Sequence, residues 1–384
     1  MREFDIVVYG ATGFTGKLVA EYLGSRDHGV TWAMAGRSLT KLEVVRDELG
    51  LDVPLVTADA DDPASLRAMC DRAKVVLTTV GPYQLYGEPL VAACAASGTS
   101  YVDLCGEPAW MRHMIDAHDA QAKLTGARIV LSCGFDSIPF DLGVWTLQEA
   151  AKAKFGTPAP RVKGRVLSMK GTFSGGTFAS AKASMAAAAK DPSILKLLID
   201  PFALTPGFEG PSQPKGLIPE YDASIGGWTA PFVMAAINTK NVHRTNFLLG
   251  HPYGQDFKYD EMMVAPGLGE LGKAAAEAMA KFNPIGGDKG PAPGEGPSLE
   301  ERESGHYEIA FIGEMAGGET LRSVVTGDRD PGYGSTSKMI AEAAICLVKD
   351  VAGDGGVWTP GALMAAPLVE RLKANAGLTF TIQG

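Results

Sequence analysis

The sequence predicts an α/β protein, in which a doubly wound parallel sheet is followed by a second, α+β domain. Two observations indicate this class. Through residues 5–132, short runs rich in valine and isoleucine alternate with segments whose apolar residues recur at helical spacing. Strands that alternate with helices of this length form right-handed crossovers and a parallel sheet. From Val162 onward, the strands instead alternate apolar and polar residues, which is typical of strands with one covered face.

The elements of the first half follow one another closely. In chain order, the sequence predicts a strand at Asp5–Tyr9, a helix at Thr15–Leu23, a strand at Val30–Ala35, a helix at Thr40–Leu49, a strand at Val53–Ala58, a helix at Pro63–Ala73, a strand at Val75–Val80, a helix at Pro89–Ala96, a strand at Tyr101–Leu104, a helix at Trp110–Leu124 and a strand at Arg128–Ser132. These strands carry few polar residues, as expected when helices cover both faces of a sheet.

The second half predicts fewer elements with clear limits. They are a strand from Val162, a helix at Phe178–Ala189 that begins behind a glycine-rich Ser174–Thr177, a surface linker at Asn283–Gly305, a hairpin that turns at Gly317–Gly318, and helices at Ser335–Lys349 and Gly361–Lys373. We predict a cofactor domain at 1–140, an α+β domain for substrate binding or dimerisation at 141–334, and C-terminal helices at 335–384 that return to the first domain.

Composition excludes several classes of protein. The chain has 384 residues and a formal charge of -9, which argues against nucleic acid as a partner because phosphate binding needs a basic face. Its five cysteines are scattered, which predicts free thiols, a reducing compartment and no structural metal. We expect no signal peptide, because the first residues enter a strand without the basic and apolar segments of one, and no apolar run approaches the roughly 18 residues of a spanning helix. We therefore expect a cytoplasmic protein, with peripheral membrane contact left open.

A glycine-rich turn joins the first strand to the first helix at GxxGxxG spacing. Gly10 allows a sharp turn, Gly13 lets backbone N–H groups approach a pyrophosphate, and Gly16 lets the helix pack close to the sheet. A tight structural turn is the alternative, but the strand before and the helix after favour dinucleotide binding in a Rossmann-type fold. The predicted cofactor contacts in this loop are Gly10, Ala11, Thr12, Gly13, Phe14, Thr15 and Gly16.

The end of the second strand indicates which dinucleotide binds. An acid at this point would bind the ribose 2′-hydroxyl of NAD, but here the sequence reads Gly36-Arg37-Ser38. A guanidinium offers paired donors to a 2′-phosphate, and Ser38 adds a hydroxyl. The sequence therefore predicts NADP(H), although Arg37 as a solvated surface charge is the alternative.

Two further strand ends supply cofactor candidates, because ligands in such folds lie beyond the carboxyl ends of the strands. Asp59 follows the third strand, where it could meet the adenine amino group or simply cap the next helix. Val80, Gly81 and Pro82 follow the fourth strand, next to the expected ribose and nicotinamide, although Gly-Pro is also common in plain turns.

Four longer stretches resemble one family. The segments "YGATGFTG", "AGRS", "TTVGPYQLYGEPLVAACAASGTSYVDLCGE" and "CGFDSIPFDLG" are similar to saccharopine dehydrogenase-like NADP-binding oxidoreductases, in the branch of the mycobacterial trans-acting enoyl reductases and the animal saccharopine dehydrogenase-like oxidoreductase. The resemblance implies an NADPH-dependent reductase of a small-molecule or carrier-bound acyl substrate with a lipid- or polyketide-derived double bond. Saccharopine reductases have G-x-D-P-G where this chain has Gly134 to Ile138, which argues against saccharopine itself.

Candidates for the chemistry lie beyond the predicted strands on the cofactor side. Enoyl reduction needs a hydrogen-bond donor for the developing enolate, and we select Tyr83 as this donor and Asp136 as an orienting acid. Structural alternatives remain, since Asp136 could cap the helix that begins near Ser137, and Tyr101 and Cys133 could be core residues. His243, with Arg244 beside it, could bind a carboxylate or phosphate. An imine reductase and a non-catalytic, lipid-associated NADP-binding scaffold are the alternative functions.

Overall fold

Two seven-stranded sheets organise the parts of the chain that the computed structural model describes, namely residues 2–171, 175–282 and 295–383. Residues 283–294 of the linker predicted at Asn283–Gly305 lie outside these ranges, as does Ser174, the first residue of the glycine-rich entry. The first half contains β1 (Phe4–Tyr9), α1 (Phe14–Gly24), β2 (Trp32–Gly36), α2 (Leu39–Glu48), β3 (Leu55–Thr57), α3 (Pro63–Arg72), β4 (Ala73–Thr78), α4 (Tyr83–Tyr86), α5 (Glu88–Ser97), β5 (Ser100–Val102), α6 (Pro108–Thr125) and β6 (Arg128–Val130).

The rest of the chain alternates less regularly. It contains α7 (Ile138–Phe155), β7 (Arg161–Lys170), α8 (Gly175–Lys190), α9 (Pro192–Ile199), β8 (Glu220–Asp222), β9 (Gly227–Pro231), α10 (Ala235–Leu248), β10 (Lys258–Val264), α11 (Gly269–Lys281), α12 (Leu299–Ser304), β11 (His306–Glu314), β12 (Thr320–Gly327), a π-helical turn (Pro331–Ser335), α13 (Thr336–Lys349), β13 (Gly356–Trp358), α14 (Pro360–Asn375) and β14 (Leu378–Gln383). Among these described elements, no helix is both long and apolar enough to cross a membrane.

The first sheet is parallel throughout and confirms the predicted class. Its strand order is β3-β2-β1-β4-β5-β6-β13, so the order reverses between β1 and β4. Tyr9 at the end of β1 pairs with Thr78 at the end of β4. Ligands of doubly wound sheets bind at such a reversal, beyond the carboxyl ends of the strands. The topology therefore places the candidate site at the ends of β1 and β4.

The second sheet is mixed. Its order is β14-β12-β11-β7-β10-β9-β8, and only the β7–β10 pair is parallel. The predicted hairpin at Gly317–Gly318 is confirmed, because β11 and β12 pair antiparallel on either side of it. Gly318 has φ of +94°, a conformation that glycine adopts without strain.

The C-terminal segment contributes to both sheets. Helix α13 packs beside α1 on the first sheet, and β13 extends that sheet by pairing with β6. Strand β14 instead pairs with β12 in the second sheet, so the segment is not purely helical as the sequence suggested. The domain limits at residues 140 and 334 stay predictions.

One apolar core connects the two sheets. Helix α13 covers the first sheet, α7 covers the second, and α14 packs against both helices. A Cβ placed on Gly143 of α7 would lie 2.2 Å from the Phe311 ring of β11, so helix and sheet are in direct contact there. Packed side chains therefore fill the space between the sheets.

Candidate active site

The glycine loop after β1 forms a tight turn whose shape depends on its small residues. Gly10 has φ of +91°, and the Gly13 N–H donates to the Gly10 carbonyl at 2.9 Å. A Cβ placed on Gly16 would lie 2.1 Å from the oxygen of Gly10, closer than atoms can approach. The first turn of α1 therefore lies directly against the loop, as dinucleotide binding requires.

The start of α1 has the properties of an anion site. Gly13 is its N-cap and supplies no side-chain hydrogen bond, and no acidic residue lies in the first turn. The first N–H groups of a helix have no intrahelical partner, and a phosphate satisfies them with favourable charge. These residues thus fit the pyrophosphate of a dinucleotide.

Replacing Gly16 by Ala is expected to lower the free energy of unfolding by about 1–3 kcal/mol, the usual cost of an overpacked site, although alanine favours helix more than glycine does. Urea unfolding of the protein without cofactor measures this. Gly353→Ala is the control, because its added Cβ would meet only a Leu363 side-chain atom at 3.4 Å. Equal stability of the two variants would contradict the close approach of helix and loop.

The end of the first sheet that would hold the adenosine brings Arg37 and Asp59 near Tyr9. Burial raises the pKa of Tyr9 to about 12, with Asp59 raising it further and Arg37 opposing this. Arg37 is exposed, and its guanidinium has no hydrogen-bond or ion-pair partner among the described residues. The Ser38 side chain accepts a bond from Lys41 N at 3.4 Å and caps α2. Arg37 is therefore available to an anion, while Ser38 already has a structural bond.

The loop after β4 abuts the glycine turn. A Cβ on Gly10 would lie 2.8 Å from Val80 Cγ2, and the Thr79 N–H donates to the Tyr9 carbonyl at 3.1 Å. Helix α8 approaches from the other side, since a Cβ on Gly81 would lie 3.9 Å from Ser180 Oγ. Val80, Gly81 and Pro82 thus lie between the cofactor loop and the second domain.

A cavity of about 450 Å³ opens here, between the two sheets. Its size is in the usual range for a small-molecule site. Its walls come from loops, from helices and from the end of strand β7, and they include Thr15, Thr79, Gly81, Asp136, Met169, Gly171, Ser180, Phe232, Pro331 and Tyr333. The cavity therefore joins the predicted cofactor loops to residues of the second domain.

Together with Glu107, Asp136 provides an acid in the wall of this cavity. The residue keeps partial exposure through the opening, while protein surrounds its carboxyl group, and burial raises its pKa to about 7. Among the described residues, its carboxyl group has no hydrogen-bond or ion-pair partner. Helix α7 begins with Ser137 as N-cap, without a side-chain cap bond, so Asp136 does not cap it. An unpaired acid with a shifted pKa in a cavity is typical of functional sites.

Tyr83 also lines this cavity, but the hydrogen bonds of its hydroxyl do not fit the predicted role of donor to the enolate. The hydroxyl accepts a bond from Leu104 N at 3.0 Å and donates to the Thr78 carbonyl at 3.4 Å. Burial raises its pKa well above the usual value, so it holds its proton. These bonds connect α4 to the ends of β4 and β5, which argues for a structural hydroxyl.

The other candidates are also structural. The Tyr101 hydroxyl donates to Asp103 at 2.9 Å, and the Cys133 thiol lies 3.6 Å from the Val130 carbonyl. His243 packs against Phe202 with ring centroids 4.6 Å apart, and burial lowers its pKa to about 3. None of Tyr101, Cys133 and His243 lines the cavity.

Arg244, the proposed companion of His243, does not provide a free cation. Its guanidinium donates to the carbonyls of Leu204 at 2.6 Å and Val357 at 2.5 Å, and the residue is buried. The expectation that His243 and Arg244 bind a carboxylate or phosphate is therefore wrong, because the core encloses both side chains.

Sequence reasoning missed the π-helical turn at Pro331–Ser335. Its Tyr333 ring lies 5.3 Å from the Phe14 ring of the cofactor loop, and Asp330 accepts bonds from the N–H groups of Tyr333 and Gly334 at 2.9 and 2.8 Å. π-Helical turns occur frequently at functional sites. In the sequence, this segment resembles an ordinary Pro- and Gly-rich turn. Its position beside the glycine loop is known only from the contact between Tyr333 and Phe14.

Comparison with known proteins fits this geometry. The model of the saccharopine dehydrogenase NADP binding domain matches residues 6–130. Two trans-acting enoyl reductases, from Mycobacterium ulcerans and Mycobacterium tuberculosis, are each 40% identical to this chain; the matches cover 97% and 99% of it, and 96% and 97% of the relatives. The chain belongs to the saccharopine dehydrogenase-like family, in the branch of these reductases.

Two further proteins extend the comparison. Another Mycobacterium tuberculosis relative, whose name places it provisionally in the same branch, is 43% identical over 99% of this chain and 97% of its own length. The saccharopine dehydrogenase (L-Glu forming) of Saccharomyces cerevisiae has the same fold, with a TM-score of 0.54, 12% identity and 99% of both chains covered. This member of the family is an NADP-dependent oxidoreductase, and residues 6–130 belong to its NADP-binding domain.

Proposed function

We propose that this protein uses NADPH to reduce the carbon–carbon double bond of an enoyl thioester. The observation that carries the proposal is the position of Asp136, an unpaired acid with a pKa of about 7, in the cavity that the cofactor loops open into. The names of the 40%-identical relatives support the reaction class. We further propose a lipid- or polyketide-derived acyl group on a carrier as substrate, and the cytoplasm as the compartment.

The chemistry requires one hydride and one proton. When bound, NADPH supplies the hydride from its nicotinamide ring. A substrate that accepts this hydride at its β-carbon becomes an enolate, whose negative charge lies on the thioester oxygen and whose α-carbon takes up a proton. Asp136 in its acid form donates this proton, and the resulting carboxylate takes another from solvent through the cavity opening. Electrons and protons then balance for each turnover.

Other residues of the cavity orient and shield the reacting groups. Thr15, Thr79 and Gly81 lie beside the predicted pyrophosphate site at the start of α1 and would contact the ribose and nicotinamide. Phe232 and Met169 form an apolar wall, which excludes water and strengthens any charge interaction inside. The Ser180 hydroxyl of α8 lies at the same wall and would donate a hydrogen bond to the enolate oxygen, the role first considered for Tyr83.

A substrate panel tests the proposal. The protein is mixed with NADPH and, separately, with enoyl thioesters or with a keto acid and an amine that form an imine, and the absorbance of the reduced cofactor is followed. We expect the absorbance to fall with enoyl thioesters. A fall with the imine mixture alone would instead support a saccharopine-like reductase, and cofactor binding without any turnover would support a scaffold. A homodimer stays a prediction that size measurement can test.

A further inference from the structure

A second, larger cavity lies on the outer side of the site. It is a groove of about 790 Å³ between α4, α5 and α6 on one side and α8 and α9 on the other. The groove and the inner cavity share part of their walls, namely Glu107, Pro108, Ser184 and Leu198. The groove therefore adjoins the inner cavity at these four residues.

The walls of the groove are suited to hydrocarbon. Their larger apolar members are Leu85, Trp110, Met114, Ile194 and Leu198. The ionisable wall residues are Glu88, Glu107, Asp116 and His113, and neither lysine nor arginine is among the described residues that line the groove. A phosphate or carboxylate would meet two or more acids there, and the nearby guanidinium of Arg112, which is outside the lining, is already paired with Asp116.

Two of the three carboxylates of the groove already have hydrogen-bond partners. Glu107 accepts bonds from the N–H groups of Tyr83 and Gln84 at 3.0 and 2.9 Å. Asp116 is bound by Arg112 at 2.8 Å. These acids are therefore occupied by the protein itself, and neither calls for a cationic ligand in the groove.

Helices α8 and α9 form the roof, and two polar contacts fix it. Gln84 Nε2 donates to Ser184 Oγ at 3.2 Å, and Lys240 Nζ donates to the Leu198 carbonyl at 3.0 Å. None of the residues of α9 is fully buried, and Ile194 and Leu198 line the groove while Leu195 and Ile199 are exposed. The apolar side of the roof thus covers the groove beside the inner cavity.

We propose that this groove holds the hydrocarbon tail of the substrate, beyond the double bond, and so sets a preference for long acyl chains. The inference rests on the proposed function, since the inner cavity must hold the reacting end. The acidic walls argue that the phosphate-bearing arm of a carrier lies elsewhere. Each methylene that the groove buries should improve kcat/KM about fourfold, until the groove is filled.

The test compares two tryptophan substitutions on α8. Ala187 lines the groove and is half-buried, whereas Ala186 is exposed and outside it. Crotonyl and dodecenoyl N-acetylcysteamine thioesters serve as short and long substrates. In the native protein the dodecenoyl substrate should have a kcat/KM at least a hundredfold higher. Ala187→Trp should remove most of this advantage and leave crotonyl reduction nearly unchanged, while Ala186→Trp should behave like the native protein.

Several outcomes would overturn the assignment. Equal kcat/KM for both chain lengths in the native protein, or equal effects of Ala187→Trp on both substrates, would show that the tail lies elsewhere. If no enoyl thioester is reduced at all, the proposed function fails, and calorimetric titration with saturated dodecanoyl N-acetylcysteamine thioester then decides on the groove. Binding that Ala187→Trp weakens and Ala186→Trp does not would still support the groove, and binding that neither weakens would refute it.

Discussion

Replacing Arg37 by Asp is expected to lower the preference for NADPH over NADH by about 10- to 150-fold, which corresponds to the ~1.5–3 kcal/mol of a hydrogen bond to a charged group. The guanidinium is exposed at the end of β2, without a partner among the described residues. Only NADPH carries the 2′-phosphate that it would bind, and a carboxylate in its place repels that phosphate. The ratio of kcat/KM for the two cofactors measures the effect.

A matched variant separates this effect from net charge. Arg67→Asp makes the same charge change on the outer surface of α3, where the native side chain pairs with Asp71 at 2.9 Å. We expect its cofactor ratio to equal that of the native protein. If Arg37→Asp also leaves the ratio unchanged, the assignment of Arg37 to the 2′-phosphate is wrong.

Replacing Asp136 by Asn is expected to lower kcat for enoyl reduction by about 10²- to 10⁴-fold, the usual contribution of a general acid. The amide has nearly the same shape but cannot protonate the α-carbon of the enolate. The affinity for NADPH should stay unchanged, because the residue lies beyond the seat of the pyrophosphate. Steady-state kinetics and cofactor titration measure the two quantities separately. Asp52→Asn, on an exposed loop before β3, is the control.

The pH dependence gives an independent readout for Asp136. Burial raises its pKa to about 7, so the acid form that donates the proton predominates below that pH. The native kcat should therefore be constant in mildly acidic solution and fall as the pH rises through about 7. The Asn variant should lack this decline. A native profile without a decline, or the same decline in both proteins, would assign the proton to another group.

The first half of the fold could be predicted because its information is local. Strand, glycine turn and helix follow one another within residues 4–24, and the predicted limits of the later helices agree with the structure to within a few residues. Strands β8, β9, β10, β13 and β14 were missed, and of these β8 and β13 have only three residues each and little periodicity. They exist because distant strands complete their hydrogen bonds, as β13 does with β6. Such pairing over long separations leaves little signal in a local window.

The candidate site, like the fold, could be predicted only where the information is local. The glycine loop and Arg37 could be assigned from their position after a strand, since that position fixes what they face. The hydrogen-bond partners of a side chain could not be predicted from its position in this way. Tyr83 and Asp136 both follow strands. The Leu104 N–H donates to the tyrosine hydroxyl, whereas the aspartate carboxyl group lies unpaired in the cavity among the described residues. The groove under α8 and α9 could not be predicted from the sequence, because its walls come from separate segments of the chain.

Isotope transfer tests the central claim most directly. The protein is supplied with NADPH that carries deuterium at the transferred position of C4 and with an enoyl thioester in ordinary water, and the product is examined by NMR. The proposed mechanism predicts deuterium at the β-carbon and a solvent-derived proton at the α-carbon. Deuterium at the α-carbon, or a reduced product without deuterium, would contradict it.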